Sequence, residues 1–359
     1  MSKYLKEDLK VFEKHCVKYM LHHIPPIIDF PKNGRVIAIG DIHGDLSFLI
    51  DALRKTKIVN SKNEWIGGNS IVVQVGDQLD DTRDRSQEYR GGDKPNIDST
   101  DIDILNFTND LHLEAVKHGG MFISLFGNHE ILNVLADKPG LVGKKRHDHI
   151  KKYLKSVSNK SVIEFANPDS ISYEEKVKSG LINRANLFKP GNDFAKMLAC
   201  TRLPLIVIGD YIFLHAGITV NTMKKLNIQS KDGFYKIQYV LRKYLLNILE
   251  SDDEKKYAHK IVESDIFWSR ILGSIPKNLD LGDDRCSKYI EPILKLLKLK
   301  SIIIGHTSNE TVETCNNKLI KLNSMSSKSF NMFKDMGYYI EKETSILEIL
   351  PEGIMRIVK

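Results

Sequence analysis

Six short apolar runs recur along the chain, at 35–39, 70–75, 121–126, 204–208, 211–214 and 301–304. Each is four to six residues long and rich in Val, Ile, Leu or Phe. Such runs are too short for buried helices and read as buried strands. Five of the six pass directly into a polar cluster: GDIHGD at 40–45, GDQLDD at 76–81, GNHE at 127–130, HAG at 215–217 and GHT at 305–307. A strand that ends in a polar turn is ordinary. Five in one chain predict an α/β architecture whose loops meet at one sheet edge and carry a site there.

Helical periodicity fills the intervals. The spacing predicts an amphipathic helix over 4–23, closed by Pro25-Pro26, and further helices over 46–54, 102–117, 234–249 and 289–297. The end of the chain alternates as strands do (KLIKLN, GYYIEK, SILEIL, IMRIVK) and predicts an antiparallel margin to the sheets. Two stretches, 81–101 and 137–180, read as insertions, the second bearing the cationic run KKRHDHIKK at 144–152. With the N-terminal helical segment 1–26, they are expected to belong to a single domain spanning 1–359.

The polar clusters supply Asp41, His43, Asp45, Asp77, Asp80, Asn128, His129, Glu130, His215 and His306. Carboxylate, imidazole and one amide oxygen form a donor set for Mn²⁺, Fe²⁺ or Zn²⁺, and no cysteine stands among them to suggest a structural zinc. Asp41 and His43 flank one residue and can clamp one ion. Two ions about 3.5–4 Å apart need a shared carboxylate from another strand, for which Asp77 is the candidate. Asp45, just ahead of an apolar helical stretch, fits a helix N-cap better than a ligand. Glu130 reads as a capping or supporting residue. His112, His118, His147 and His149 have no such surroundings and are expected at the surface, and Trp65 and Trp268 in packing.

Taken together, GDIHGD, GDQLD, GNHE, HAG and GHT resemble the calcineurin-like metallophosphoesterases, and within them the phosphoprotein phosphatases. NRANLFKPGN at 183–192 and FWSR at 267–270 look like their Shewanella-like bacterial-type branch. The resemblance spans roughly 36–326. It implies a central β-sandwich of two mixed sheets flanked by helices. It implies two divalent metal ions, manganese first with iron or zinc as alternatives: Asp41, His43 and Asp77 on one, and Asp77, Asn128, His215 and His306 on the other. A hydroxide between them would attack phosphorus in line. His129 would protonate the leaving group, with Asp80 orienting its imidazole. The substrate would be a phosphomonoester, foremost phosphoserine or phosphothreonine on proteins. The alternatives are a dinucleoside tetraphosphate or other nucleotide, or a non-catalytic module that recognises phosphoproteins.

The chain departs from that family pattern at Asp81 and Thr82, where the family has arginine and glycine. The phosphate would then fall to Arg184 and Arg270, with Arg83 next, beside Asn128. A second departure is Asn323-Ser324-Met325-Ser326 in place of an acidic, glycine-bearing motif.

Composition narrows the class. The 359 residues are 42% hydrophobic and 28% charged, with a formal net charge of +7. The surplus is mostly lysine, without the arginine-rich arm or aromatic stacking motif of a nucleic-acid binder. No apolar stretch reaches the ~18 residues of a membrane span, and MSKYLKEDLK lacks a signal-peptide core. Cys16, Cys200, Cys286 and Cys315 form no CxxC pair and are expected as reduced, mostly buried thiols of a cytoplasmic protein.

Overall fold

The computed structural model describes residues 2–20, 22–80, 101–135, 187–308, 312–322, 326–327 and 346–359. Both expected insertions (Asp101 aside), Arg83, Arg184, Asp81 and the GYYIEK stretch lie outside the described residues.

All six apolar runs are strands. Sheet B holds β2 (Val36–Ile39), β3 (Ile71–Gln74), β4 (Met121–Leu125), β5 (Arg202–Leu203), β11 (Ile346–Ile349) and β12 (Met355–Val358), in the order β12-β11-β2-β3-β4-β5. Sheet A holds β1 (Ile27–Ile28), β6 (Leu205–Ile208), β7 (Tyr211–Leu214), β8 (Ser301–Ile304), β9 (Val312–Thr314) and β10 (Leu319–Lys321), in the order β1-β6-β7-β8-β10-β9. Both sheets are mixed. β2, β3 and β4 run parallel, as do β7 and β8. The expected antiparallel margin is present where β11 pairs with β12 and β2, while β10 runs parallel to β8.

The two-residue period of a strand divides sheet B between two apolar layers. Val36, Ala38, Val73 and Ile123 share one large cluster with β6, β7 and β8. Ile37, Ile39, Val72 and Phe122 pack instead with Leu49, Ala52 and Leu53 of α2 (Leu46–Lys55) and Ile104, Leu111 and Ala115 of α3 (Asp101–Lys117). With both faces covered, strands read as continuous apolar runs. Asp45 caps α2, its side chain accepting the Phe48 N–H at 3.1 Å.

Three readings need correction. The first helix, α1 (Lys3–His15), stops well short of residue 23. The apolar spacing of Cys16, Tyr19 and Met20 continues through turns, which a periodicity count does not separate from helix. All four cysteines are bonded, Cys16 to Cys200 and Cys286 to Cys315. The partners lie 184 and 29 residues apart in sequence, so only tertiary folding brings the Cα atoms of each pair to 5.1 and 5.6 Å.

His112 is the third correction: it is buried, on the face of α3 that carries Thr108 and Leu111, not at the surface. Its Nδ1–H donates to the Phe122 carbonyl at 2.8 Å, while Nε2 is buried with no partner. Burial pulls the imidazole down to about 4, against the opposing effect of that hydrogen bond. An unfolded histidine takes up its proton near pH 6.5, before the folded one can. This contribution to stability is therefore complete above pH 6.5 and is lost as pH falls toward 4, by about 3 kcal/mol in all. Urea unfolding at pH 7 and pH 4.5 checks this: the acid-induced loss should shrink in His112→Gln, and equal losses would refute it.

Candidate metal centre

The polar clusters converge from both sheets. β2, β3 and β4 of sheet B end at Gly40–Asp45, Gly76–Asp80 and Gly127–Glu130, and β7 and β8 of sheet A end at His215 and His306. The loops are braced to one another. The Asp77 carbonyl accepts the N–H groups of Ile42 and His43 at 3.0 and 2.9 Å, and the Gln78 carbonyl accepts that of Gly44 at 2.9 Å. Across the sheets, the His306 N–H donates to Asp41 Oδ1 at 3.0 Å, and His215 Nδ1–H donates to the Val75 carbonyl at 2.9 Å.

This bracing holds backbone that would otherwise relax. His43, Asp77, Asp80 and His306 have φ of 46°, 57°, 71° and 61°. Left-handed conformations at non-glycine residues cost of order 1–3 kcal/mol each and persist where surrounding contacts impose them. Close approach also fixes two glycines. A Cβ on Gly127 would lie 2.2 Å from Asp77 Oδ1, and one on Gly305 2.3 Å from Asp41 Oδ1.

Two donor groups form around one carboxylate. His43, Asp77 and His129 make one, and Asp77, His215 and His306 the other, each with ligand atoms within 4.8 Å of one another. His43 Nε2 lies 3.5 Å from Asp77 Oδ2 and 3.8 Å from Asp41 Oδ2. His215 Nε2 lies 3.3 Å from Asp77 Oδ1. Asn128 Oδ1 stands 2.9 Å from His215 Nε2 and 2.8 Å from His306 Nδ1.

These contacts fit a cation. His215 uses its Nδ1–H on Val75, so its neutral form offers a bare Nε2 toward two oxygens. Only an added proton or a positive ion relieves that crowding of acceptors. Burial alone would lower His215, but the Asp77 carboxylate overrides it and raises the imidazole to about 9. Asp77 is fully buried, which by itself would raise its pKa; His215, His129 and His43 instead hold it well below the usual carboxylate range. Asp77 Oδ2 and His306 Nε2 are buried with no hydrogen-bond partner. Orphaned polar atoms of this kind are costly unless a ligand meets them.

Glu130 organises this loop. Its carboxylate accepts the N–H groups of Gly127, Asp77, Gln78 and Leu79 at 2.6, 2.9, 2.9 and 3.0 Å. One of these bonds closes the start of α4 (Asn128–Leu135) in the manner of a capping box, and the others shape the turn behind Asp77. Burial first, and then Asp77, raise its pKa, while the donated N–H groups oppose them.

His129, on the first turn of α4, directs Nδ1 to Asp80 Oδ2 at 3.0 Å and lies with Nε2 3.9 Å from Asp77 Oδ2. Asn133 went unnoticed in the sequence. One helical turn after His129, it donates to the same Asp80 oxygen at 2.9 Å and to the His129 carbonyl at 2.9 Å. Its i, i+4 relation to His129 was the available signal. Arg270 is exposed at the rim, with Nη1 donating to the His306 carbonyl at 3.3 Å. Thus Asp41, His43, Asp77, Asp80, Asn128, His129, His215 and His306 share one site with Arg270 at its edge.

The calcineurin-like phosphoesterase family model matches residues 34–309. An uncharacterized protein of Acanthamoeba polyphaga mimivirus is 30% identical over 265 residues, covering 69% of this chain and 96% of the relative. Shewanella-like protein phosphatase 2 of Arabidopsis thaliana is 30% identical over 203 residues, covering 53% of this chain and 48% of the relative. Shewanella-like protein phosphatase 1 of Plasmodium berghei is 27% identical over 291 residues, covering 79% of this chain and 65% of the relative. The chain therefore spans about half of the plant phosphatase and under two thirds of the plasmodial one. In fold it is similar to a cold-active protein tyrosine phosphatase, with TM-score 0.58 at 19% identity over 94% of this chain and 81% of that one. With the matched region enclosing every strand-end cluster of the site, the chain belongs to the calcineurin-like phosphoesterases and is a hydrolase of phosphoester bonds.

Proposed function

We propose that this chain is a two-metal protein phosphatase acting on phosphoserine and phosphothreonine. The observation that carries the reading is the pair of donor groups meeting on Asp77, with Asp77 Oδ2 and His306 Nε2, neither of them hydrogen-bonded, within them. Asp41, His43 and Asp77 would hold one ion, and Asp77, Asn128, His215 and His306 the other. Bound divalent ions would supply an activated water at neutral pH and positive charge against the phosphoryl oxygens.

The chain's own groups do the rest. The His129 Nδ1–H is fixed on Asp80, itself held by Asn133, so Nε2 faces the Asp77 side of the site. A carboxylate on Nδ1 favours the imidazolium, which gives its Nε2 proton to the departing alkoxide as general acid. Arg270 provides a planar fork for two phosphoryl oxygens, a geometry that lysine does not offer. Arg83 and Arg184 are the further candidates, and lie outside the described residues.

The names of the plant and plasmodial relatives support a protein substrate. The structural neighbour is named a protein tyrosine phosphatase, which makes phosphotyrosine the comparison substrate. Steady-state assays with Mn²⁺ on phosphoserine, phosphothreonine and phosphotyrosine peptides and a dinucleoside tetraphosphate test the assignment. The highest kcat/KM is expected on the phosphoserine and phosphothreonine peptides. Preference for the dinucleotide or phosphotyrosine would overturn it, and metal binding without any hydrolysis would indicate a binding module.

A further inference from the structure

Behind the loop that carries Asp77 and Asp80 lies a fully buried arginine. Arg202, the first residue of β5, is 2% exposed. Its Nε and Nη2 both donate to Gln78 Oε1, at 3.2 and 3.0 Å. Nη2 also donates to Thr108 Oγ1 at 2.8 Å and to the Leu105 carbonyl at 3.3 Å. Nη1 donates to Thr201 Oγ1 at 2.6 Å and to Asn109 Oδ1. Among the described residues, every one of these acceptors is neutral. Burying a guanidinium with no carboxylate among its acceptors is expensive, and the Glu130 carboxylate, which favours its charge, only partly offsets the effect of burial; packing alone would be served by an apolar side chain of like size. What distinguishes this arginine is what it grips.

Gln78 follows Asp77 directly, and all of its polar groups are used. Its N–H donates to Glu130 Oε1, its carbonyl accepts from Gly44, and its Nε2 donates to Ser124 Oγ at 3.0 Å on β4. Two donors on Oε1 hold the amide in one orientation, so Nε2 stays on Ser124. The same guanidinium reaches three residues of α3, the helix that resumes after residue 100. It therefore joins the chain on both sides of the 81–100 stretch, Gln78 before it and Leu105, Thr108 and Asn109 after it.

We propose that Arg202 is a positioning residue of the metal centre: its fork on Gln78 fixes the Gly76–Asp80 loop against α3 and β4, and so sets Asp77 between the two donor groups. The inference rests on the two-metal reading above. Residues that orient ligands from outside typically cost 10–100-fold in metal affinity when removed.

The test is a double-mutant cycle on the full chain with Arg202→Met, Gln78→Met and both together. Mn²⁺ binding is titrated on metal-stripped protein, thermal unfolding is followed by circular dichroism, and the two-ion state is read from the spin-coupled Mn²⁺ resonance. Each single variant is expected to bind Mn²⁺ about tenfold more weakly and to lose the coupled signal. The double variant should be no worse than the poorer single one, since both act through one contact. Arg202→Lys keeps a charge but cannot place two donors on one oxygen, and should remain impaired. Wild-type Mn²⁺ affinity and coupling in the folded single variants, with only the melting temperature lowered, would overturn the proposal. If Arg202→Met does not fold, Gln78→Met decides by the same criterion. A wild type that binds no Mn²⁺ pair would fail before any substitution, and would sink the two-metal reading together with this one.

Discussion

Replacing His129 by asparagine should leave metal content near wild type and lower kcat by about 10²–10⁴-fold, the usual range for a lost general acid. The loss should be greatest on alkyl phosphates, whose poor leaving groups need a proton, and smallest on p-nitrophenyl phosphate. Nδ1 of His129 is committed to Asp80, and Asn133 secures that carboxylate from the same helix. Asparagine keeps the main-chain N–H that donates to Asp77 Oδ1 at 2.9 Å, so the Asp77 carboxylate retains its support. A contrary assignment exists within the same geometry, because His129 Nε2 lies close enough to His43 and Asp77 to form a donor group with them. Metal analysis separates the two. Loss of an ion from His129→Asn, in place of slow turnover with both retained, would make His129 a ligand.

Asp77→Asn should remove more than any other single change in the site. Asp77 is the member common to both donor groups, and its two oxygens face His215 on one side and His43 on the other. The substitution preserves shape and one oxygen for the His129 N–H, so the loop should fold. It deletes the charge that, against the effect of burial, raises the His215 imidazole to about 9. Two imidazoles and an amide are then left without a shared anion. The expected result is fewer than two ions per chain and an activity loss beyond the ~10²-fold that outer partners cause. Elemental analysis after gel filtration, with kcat/KM on a phosphopeptide, checks it. Two ions retained at full occupancy would contradict a bridging role.

The polar clusters were legible in the sequence for a physical reason. Buried strands announce themselves by composition, and polar clusters at their ends are local in sequence. GDIHGD offers ligand candidates and a cap, and the structure shows the Asp45 cap as expected. Among the described residues, helix boundaries were poorer, as at α1, where turns imitated the apolar spacing. No helix among the described residues is long and apolar enough to cross a membrane.

What sequence alone could not supply were pairings between distant residues. His112 carried no local sign that its helix face turned inward against β4. The four cysteines showed no spacing that would mark partners 184 and 29 residues apart. Glu130 could be read as a cap, but not as the acceptor of four N–H groups, because three of its donors come from another strand's loop. Arg202 gave no signal at all, since an isolated basic residue after a helix is ordinarily solvent-exposed. By itself the sequence determined the donor types and the strands that present them, which depend on residues near one another in the chain, and its resemblance to a known family supplied the kind of chemistry. The tertiary structure alone decided how those donors are held: which atoms are left without hydrogen-bond partners, how the loops from the two sheets brace one another and which buried cation lies behind them. Those depend on distances between segments that periodicity does not encode.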